Sequence, residues 1–523
     1  MKLVGHYTPK LPKAVKDYIH LEPAATDLTQ FPPSEAGLAE AANIRKLDAK
    51  NRDTLVSVLR EQVSSSDFSK KLHVDAVEQL RHSDAITVCT GHQLCALGGP
   101  LFFIYKIASV IRLANRLSTL HNKPCLPVFW MATEDHDIDE INHIYLGHDM
   151  LQFETPFRGP AGYLDASCVQ QMLNEIASRP HIDKSLIDTL KTIYAKGKNL
   201  ATATRDLVYF LFPDEPLIVL DASDSRLKRL FAPYMKLEVS EFFSNRALEE
   251  SKEVFARHGY KTQAEGRQIN LFWMDTRLRE RLVVNGDGAA TADGAKHWSK
   301  SQLLNELDSH PENFSPNVVL RPLYQEVILP NVAYVGGPGE INYWLQLKPV
   351  FEKAGIPMPV VLLRDMYALA DDKVMKKMAQ CDLACEDLSM SAEEVFTERV
   401  RKSGNSDEYA NSLSQSIAAA YDALMPQLEK IDPTLVQSAM AERKRAFNRA
   451  EVLRKKILRA EKRNQEVLRK RINFVYTHFF PLGAPQERIL NWLSVPLDTN
   501  AFIREIIGFS DPLRCEVKVL STS

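Results

Sequence analysis

Short, unbroken apolar runs recur between residues 86 and 363: Ile86–Cys89, Val128–Ala132, Leu217–Leu220, Val332–Val335 and Val360–Leu363. They are continuous rather than alternating. A strand covered on both faces reads that way because neither face meets water, so the runs predict a buried parallel sheet. Between the first two, Ile104, Ile107, Ala108, Ile111 and Ala114 fall at helical spacing and predict a helix over Leu101–Leu120. Pro100 stands just before it, where a helix start tolerates proline. Between the last two, Glu340–Ala354 reads as a helix closed by Gly355, with Pro349 expected to kink or shorten it. Both units have the strand–helix–strand form of a parallel crossover.

The pattern changes on either side of this core. Residues 151–315 mix helical segments with a glycine-rich turn region, Asn285–Gly294, and read as an insertion between two halves of the sheet, 1–150 and 316–380. From 381 to 480 the chain is helical and polar. Ala446, Ala450, Leu453, Ile457, Ala460, Asn464 and Val467 alternate in steps of four and three, the coiled-coil period, and the seam then drifts to Leu468, Ile472 and Val475. Tyr409–Ile431 is a candidate antiparallel partner, with a second subunit as the alternative. The tail, 481–523, is expected to pack back on the body. The fold class expected is therefore α/β: a parallel-sheet core with connecting insertions and a C-terminal helical coiled-coil domain.

Composition narrows the function. At about 100–200 residues per domain, 523 residues suggest two to four structural units. Hydrophobic residues at 45% and charged residues at 25% allow a sizeable core. A net charge of −2 gives no whole-chain case for nucleic acid or an anionic membrane. The segment Arg443–Arg471 carries 13 lysines and arginines, but such a run is usually a solvated coiled-coil face, so nucleic acid is a secondary expectation. The N-terminus lacks the apolar stretch of a signal peptide, and no apolar run approaches the length of a membrane span. Seven scattered cysteines without a CxxC fit reduced thiols, so the cytoplasm is the expected compartment. Cys381 and Cys385 share a helical face without a second ligand pair, and no tightly bound metal is expected.

Ligands of open parallel sheets bind beyond the carboxyl ends of the strands, so the residues after each run carry most of the interest. The first loop is Thr90, Gly91, His92 and Gln93, followed by Gly98-Gly99-Pro100; Tyr105 and Lys106 lie one turn into the next helix. Glycines let backbone N–H groups approach an anion. A tight turn with a satisfied histidine is an equally good reading of this loop taken alone. The second loop, Thr133–Glu140, holds five carboxylates and His136. Its carboxylates suit a substrate ammonium group or Mg²⁺, and His136 suits general acid–base work beside a carboxylate. Asp139 and Glu140 are assigned to the first turn of a helix, where acids offset the dipole; Glu134, Asp135 and His136 are the functional candidates. The third loop, Gly336–Trp344, offers Gly337, Gly339, Glu340, Asn342 and Tyr343, with Trp344 read as core. Upstream, Arg321 faces either a carboxylate or phosphate ligand or a structural ion pair.

At these residues the chain resembles a known family. Thr90–Gln93 (TGHQ), Gly98–Lys106 (GGPLFFIYK), Val128–Asn142 (VFWMATEDHDIDEIN), Asn317–Glu326 (NVVLRPLYQE), Gly337–Trp344 (GPGEINYW) and Gly483–Arg488 (GAPQER) are similar to the bacillithiol biosynthesis cysteine-adding enzymes. The resemblance runs through the whole chain in order. It implies a Rossmann-like core with connecting insertions and a coiled coil that supports a homodimer. It also implies a ligase that joins L-cysteine to the amine of glucosaminyl malate. Carried over, the pocket involves Gly91, His92, Gln93, Glu134, Asp135, His136, Gly337, Gly339, Glu340 and Asn342, with Glu134, Asp135, His92 and His136 as the candidate catalytic set. Position alone adds Tyr105, Lys106 and Arg321. Amide formation from a free carboxylate needs activation, most simply by ATP. Gly91-His92 is half of a class I synthetase signature, and the lysine–serine loop that forms the other half has no counterpart here. The resemblance also implies ADP bound near the coiled coil, away from this pocket.

Two rival readings stand beside this one. The chain could be an adenylating enzyme acting on tRNA or another nucleotide-bearing acceptor, held by the basic coiled coil. It could instead be a non-enzymatic coiled-coil scaffold; three polar strand-end loops argue against that.

Overall fold

The computed structural model describes residues 1–179 and 182–522, which divide into two compact units. The first comprises Met1, 9–368 and 484–517; the second comprises 2–8, 369–483 and 518–523.

The first unit is built on five parallel strands: β1 (Ile86–His92), β2 (Cys125–Met131), β3 (Ile218–Asp221), β4 (Asn331–Gly336) and β5 (Val360–Leu363). Their spatial order is β5-β4-β1-β2-β3. Chain order reverses between β1 and β4, which makes the crevice between their carboxyl ends a topological switch point. The expected Rossmann-like parallel sheet is therefore present. Ile86, Val88, Val332, Val335, Val360 and Leu362 pack in one cluster with Val110, Leu113 and Ala114 of α1 (Phe102–His121). Each such side chain contributes about 1.5–3 kcal/mol of burial.

Three details depart from the sequence reading. Thr90, Gly91 and His92, expected in a loop, are the last residues of β1. Their register opposite Phe129, Trp130 and Met131 of β2 extends the pairing to the site itself. The helix expected over Glu340–Ala354 is two: α4 (Pro338–Trp344) and α5 (Lys348–Ala354). Pro349 falls in the first turn of α5, where its missing N–H costs no hydrogen bond, so the helix restarts there. Residues 151–315 supply β3 to the parallel sheet as well as four strands and most of the fifth of a separate five-stranded antiparallel sheet. The order of that sheet is His297–Trp298, Gly288–Thr291, Arg279–Asn285, Leu271–Met274, Phe314–Pro316. Gly286-Asp287 forms its tight turn, with Gly286 at φ +59°.

The second unit is dominated by α6 (Ser406–Ile431) and α7 (Thr434–Asn464), joined through Asp432-Pro433. Arg443 pairs with Asp422 at 2.9 Å and Arg454 with Asp407 at 2.9 Å, so the two helices run antiparallel within one chain. This decides the partner of Tyr409–Ile431. The seam keeps Ala450 as expected but otherwise differs: Ala439 and Leu458 are buried with it, whereas Leu453, Asn464 and Val467 are exposed. The helix breaks at Gln465 and resumes as α8 (Glu466–Phe479), which resets the phase and buries Ile472 and Val475.

Candidate functional site

A cavity of about 800 Å³ opens in the first unit at the carboxyl ends of all five parallel strands. Gly91–Gln93 enter from β1, Met131–Asp137 from β2, Ala222 and Ser223 from β3, Gly337–Glu340 from β4 and Arg364 from β5. The volume suits a small polar ligand.

One side is cationic. The Lys106 ammonium group reaches down from α1 and lies 2.6 Å from Glu340. It also donates to the Gly91 carbonyl oxygen at 2.8 Å. Glu340 further accepts from the Tyr334 hydroxyl at 2.6 Å and the Gly337 N–H at 2.9 Å. Burial works to raise the Glu340 carboxyl, but Lys106 and these donors overrule it and hold it at about 2. Arg321, from α3 (Arg321–Ile328), lies among the rings of Trp130, Tyr334 and Trp344. Its Nη1 donates to Gln325, its Nη2 is buried, and the Tyr343 hydroxyl lies in hydrogen-bonding range of the guanidinium. Arg364 makes a bidentate pair with Glu487, at 2.8 and 2.6 Å, and its buried Nε is unpartnered.

The opposite side is acidic, with cations buried behind it. Glu134 pairs at 2.5 Å with Lys228 of α2 (Ser225–Glu241), whose side chain is fully buried, and accepts from the Ser315 hydroxyl at 2.8 Å. Asp135 accepts from Gln93 and, at 3.2 Å, from Arg279. His136 lines the cavity beside them. Burial, reinforced by Lys106, pushes the His92 imidazole down to about 3, so it is neutral at physiological pH; its Nε2 has no partner within the chain.

The C-terminal segment shapes one wall. Leu97, Gly98 and Gly99 all have positive φ. Asn491 Nδ2 donates to the carbonyl oxygens of Leu97 and Gly99, and Trp492 Nε1 donates to that of Leu97. Gly98 and Gly99 are needed for this backbone path: a Cβ at Gly98 would lie 2.8 Å from Phe103, and one at Gly99 would lie 2.7 Å from Cys95. Gly91, Gly337 and Gly339 are different. None has positive φ, and a Cβ there would meet only ordinary contacts, the nearest at 3.4 Å. Glycine at these three positions keeps space open in the cavity.

Gly91, His92, Gln93, Lys106, Glu134, Asp135, His136, Arg321, Gly337, Gly339 and Glu340 all line the cavity. Two proposed members do not. Tyr105 is fully buried against Tyr367 at 4.8 Å, because α1 turns it a helical step away from Lys106. Asn342 lies behind the wall and donates to Gln263 at 3.1 Å, and Gln263 lines the cavity in its place. Glu140 stands with Asp139 in the first turn of a four-residue helix, Ile138–Ile141, as expected, and it also lines the cavity near Gln93. Burial, with Asp135 and Asp137, raises its carboxyl. Lys228, Arg279, Ser315, Arg364, Glu487 and Arg488 were not foreseen. Only the GAPQER string hinted at the last two. Among the described residues, no group of three or more His, Cys, Asp or Glu is arranged to hold a metal ion.

The family model described as "Bacillithiol biosynthesis BshC, N-terminal Rossmann-like domain" matches residues 2–365, and that of the C-terminal coiled-coil domain matches 367–522. The chain belongs to the BshC family. Relatives carrying the name "Putative cysteine ligase BshC" include that of Flavobacterium johnsoniae, 34% identical over 92% of this chain and 91% of its own. That of Cytophaga hutchinsonii is 32% identical over 96% and 95%, and that of Flavobacterium psychrophilum 31% identical over 97% of each. Apart from Arg488, the residues lining the cavity lie within the segment that matches the family's Rossmann-like domain. The coiled-coil domain of the family corresponds to the antiparallel hairpin. Among the described residues, no helix is long and apolar enough to cross a membrane.

Proposed function

We propose that this enzyme joins the carboxyl group of L-cysteine to the glucosamine amine of glucosaminyl malate, in the cavity described above. The observation that carries the reading is the two-sided charge of that cavity. Lys106, Arg321 and Arg364 line it together with Glu134, Asp135 and Glu140. A ligand with carboxylates at one end and an amine at the other fits such a field, and both proposed substrates have that form. Family membership, with relatives named as cysteine ligases, supports the same choice.

In this reading the buried Arg321 guanidinium and the Arg364 Nε receive carboxylate oxygens, as charge-assisted hydrogen bonds require. Glu134 and Asp135, held by Lys228 and Arg279, receive the amine. Fixing both reactants removes their relative motion, which is worth several kcal/mol of barrier. Joining carboxylate to ammonium expels water, so the carboxyl must be activated, and Mg·ATP is the proposed source. The open faces of Gly91, Gly337 and Gly339 beside Lys106 and Arg364 fit a phosphate as well as a carboxylate. The enzyme is proposed to work in the cytoplasm as a homodimer through its coiled coil, where Val452, Leu453 and Val467 are exposed apolar residues.

The test is incubation of the pure protein with L-cysteine and glucosaminyl malate, with and without Mg·ATP, followed by mass analysis. ATP-dependent conjugate is the expected result. Conjugate without ATP would point to a pre-activated cysteine donor. No conjugate in either case would refute the reading.

A further inference from the structure

The groups behind His136 determine which of its nitrogens carries a proton. Arg279 opens the strand Arg279–Asn285, and its side chain is only 7% exposed. Its guanidinium lies 3.9 Å from the centre of the Phe272 ring. Nε donates to the Ser315 hydroxyl at 3.2 Å and Nη2 to the Pro316 carbonyl oxygen at 3.3 Å. Nη1 is shared between Asp135 Oδ1 at 3.2 Å and His136 Nδ1 at 3.1 Å. With stacking and hydrogen bonds on every side, the guanidinium has no alternative pose.

A guanidinium is always charged and has no acceptor. The ring nitrogen facing it must therefore offer a lone pair. A neutral imidazole with its lone pair on Nδ1 carries its proton on Nε2. The charged groups around the ring are Asp135 and Asp137 on its own loop, and Arg279 and Glu280 on the strand packed against it. Burial, with the Arg279 cation, lowers the proton affinity of the ring against the pull of these carboxylates.

We propose that Arg279 is a positioning residue that locks His136 as the Nε2–H tautomer, so that His136 meets the ligand as a hydrogen-bond donor and not as a proton acceptor. The lock itself is a property of the free protein; its chemical consequence rests on the ligation reading above. When the amine adds to the ATP-activated carboxyl carbon, the C–N bond forms as the C=O π pair moves onto the carboxyl oxygen, and its return breaks the bond to the phosphate-bearing leaving group, which departs. A neutral imidazole N–H aimed at that oxygen stabilises it without exchanging a proton. The proton released by the amine is left to Glu134 or Asp135, the carboxylates on the same side.

The first measurement is ring-nitrogen NMR on full-length protein labelled with ¹⁵N-histidine, with His136 assigned by the signals that vanish in His136→Gln. Between pH 7 and 8 the wild type is expected to show a neutral ring with its proton on Nε2, and Arg279→Met a mixture of tautomers. A proton on Nδ1, or a charged ring at pH 7, in the wild type would overturn the lock. An unchanged tautomer in Arg279→Met would do the same. The second measurement leaves Arg279 intact and follows conjugate formation. Glutamine keeps an N–H near the position of Nε2, so His136→Gln should stay within about tenfold of wild type, while His136→Ala loses about a hundredfold or more, as removal of one such donor does. A glutamine variant as impaired as the alanine variant would overturn the donor role. If the Nε2–H form is present but the wild type makes no conjugate, the ligation reading fails and the lock stands.

Discussion

Replacing Lys106 by methionine removes the cation that faces Glu340. The wild-type Glu340 carboxyl sits at about 2, against an ordinary 4.5. At about 1.4 kcal/mol per pH unit, this net displacement corresponds to roughly 3 kcal/mol at neutral pH, shared among Lys106, Tyr334 and Gly337 against burial, and burial in turn lowers the Lys106 ammonium group. Glu340 is 26% exposed, so solvent screening reduces the figure to roughly 2 kcal/mol. In the wild type this stabilisation is fully present above the unfolded value of 4.5 and is lost as pH falls through about 2. In Lys106→Met the sign reverses. Burial then dominates and raises the folded carboxyl above its unfolded value, so the group is tolerated below pH 4.5 and becomes costly as pH rises through the raised value. The penalty of Lys106→Met is therefore expected to be about 2 kcal/mol at pH 7–8 and to shrink toward pH 5. The assay is a thermal or urea midpoint for the wild type, Lys106→Met, Glu340→Gln and the double variant at several pH values. Coupling between the two sites of about 2 kcal/mol at pH 7.5 is expected, because the double variant leaves no unpaired charge. Additive single effects, or a penalty that does not change with pH, would refute the argument.

Other outcomes follow from the same geometry. Gly91→Ala should fold with a thermal midpoint close to wild type, since a Cβ there meets nothing nearer than 3.7 Å, yet should lose at least about tenfold in substrate affinity by occupying cavity space. Arg321→Met should raise the KM for the carboxylate-bearing substrate more than it lowers kcat, measured by initial rates; equal loss in both would place Arg321 outside ground-state binding. Glu326 is buried and its carboxyl is raised to about 7 by burial. Its stabilising contribution is fully present below pH 4.5 and lost as pH rises through about 7, so Glu326→Gln should gain on wild type in denaturation midpoints between pH 4.5 and 7 and hold that gain above. Asn491→Ala should loosen the Leu97–Gly99 turn, seen as faster amide exchange in residues 97–101, because the Gly99 carbonyl oxygen loses the Asn491 donor and that of Leu97 keeps only Trp492.

Much of the core was legible before any coordinates. Unbroken apolar runs mark β1 to β5 because burial on both faces leaves no place for alternation, and that alone set the parallel sheet and its strand-end loops. Glu134, Asp135, His136 and Glu340 were found because each follows a run directly, and local order in the chain is then local order in space. The rest of the site is not local. Arg279 comes from an antiparallel strand, Lys228 from a helix face, Arg364 from the end of β5, and Glu487 with Arg488 from a segment over a hundred residues further on. None lies in a periodic pattern that marks it, since a buried cation on a core face looks like any other exception to amphipathicity. Tyr105 and Lys106 make the same point in reverse. They are adjacent in sequence, but the helical rotation between them sends one into the core and the other to Glu340. Sequence by itself determined which segments would form the parallel strands and the family to which the chain belongs, because these depend on short-range periodicity and contiguous strings, but not where β1 ends. Only the tertiary structure decided which charges oppose one another across the cavity and which ring nitrogen of His136 faces Arg279, because both are set by distances between segments that the chain order leaves free.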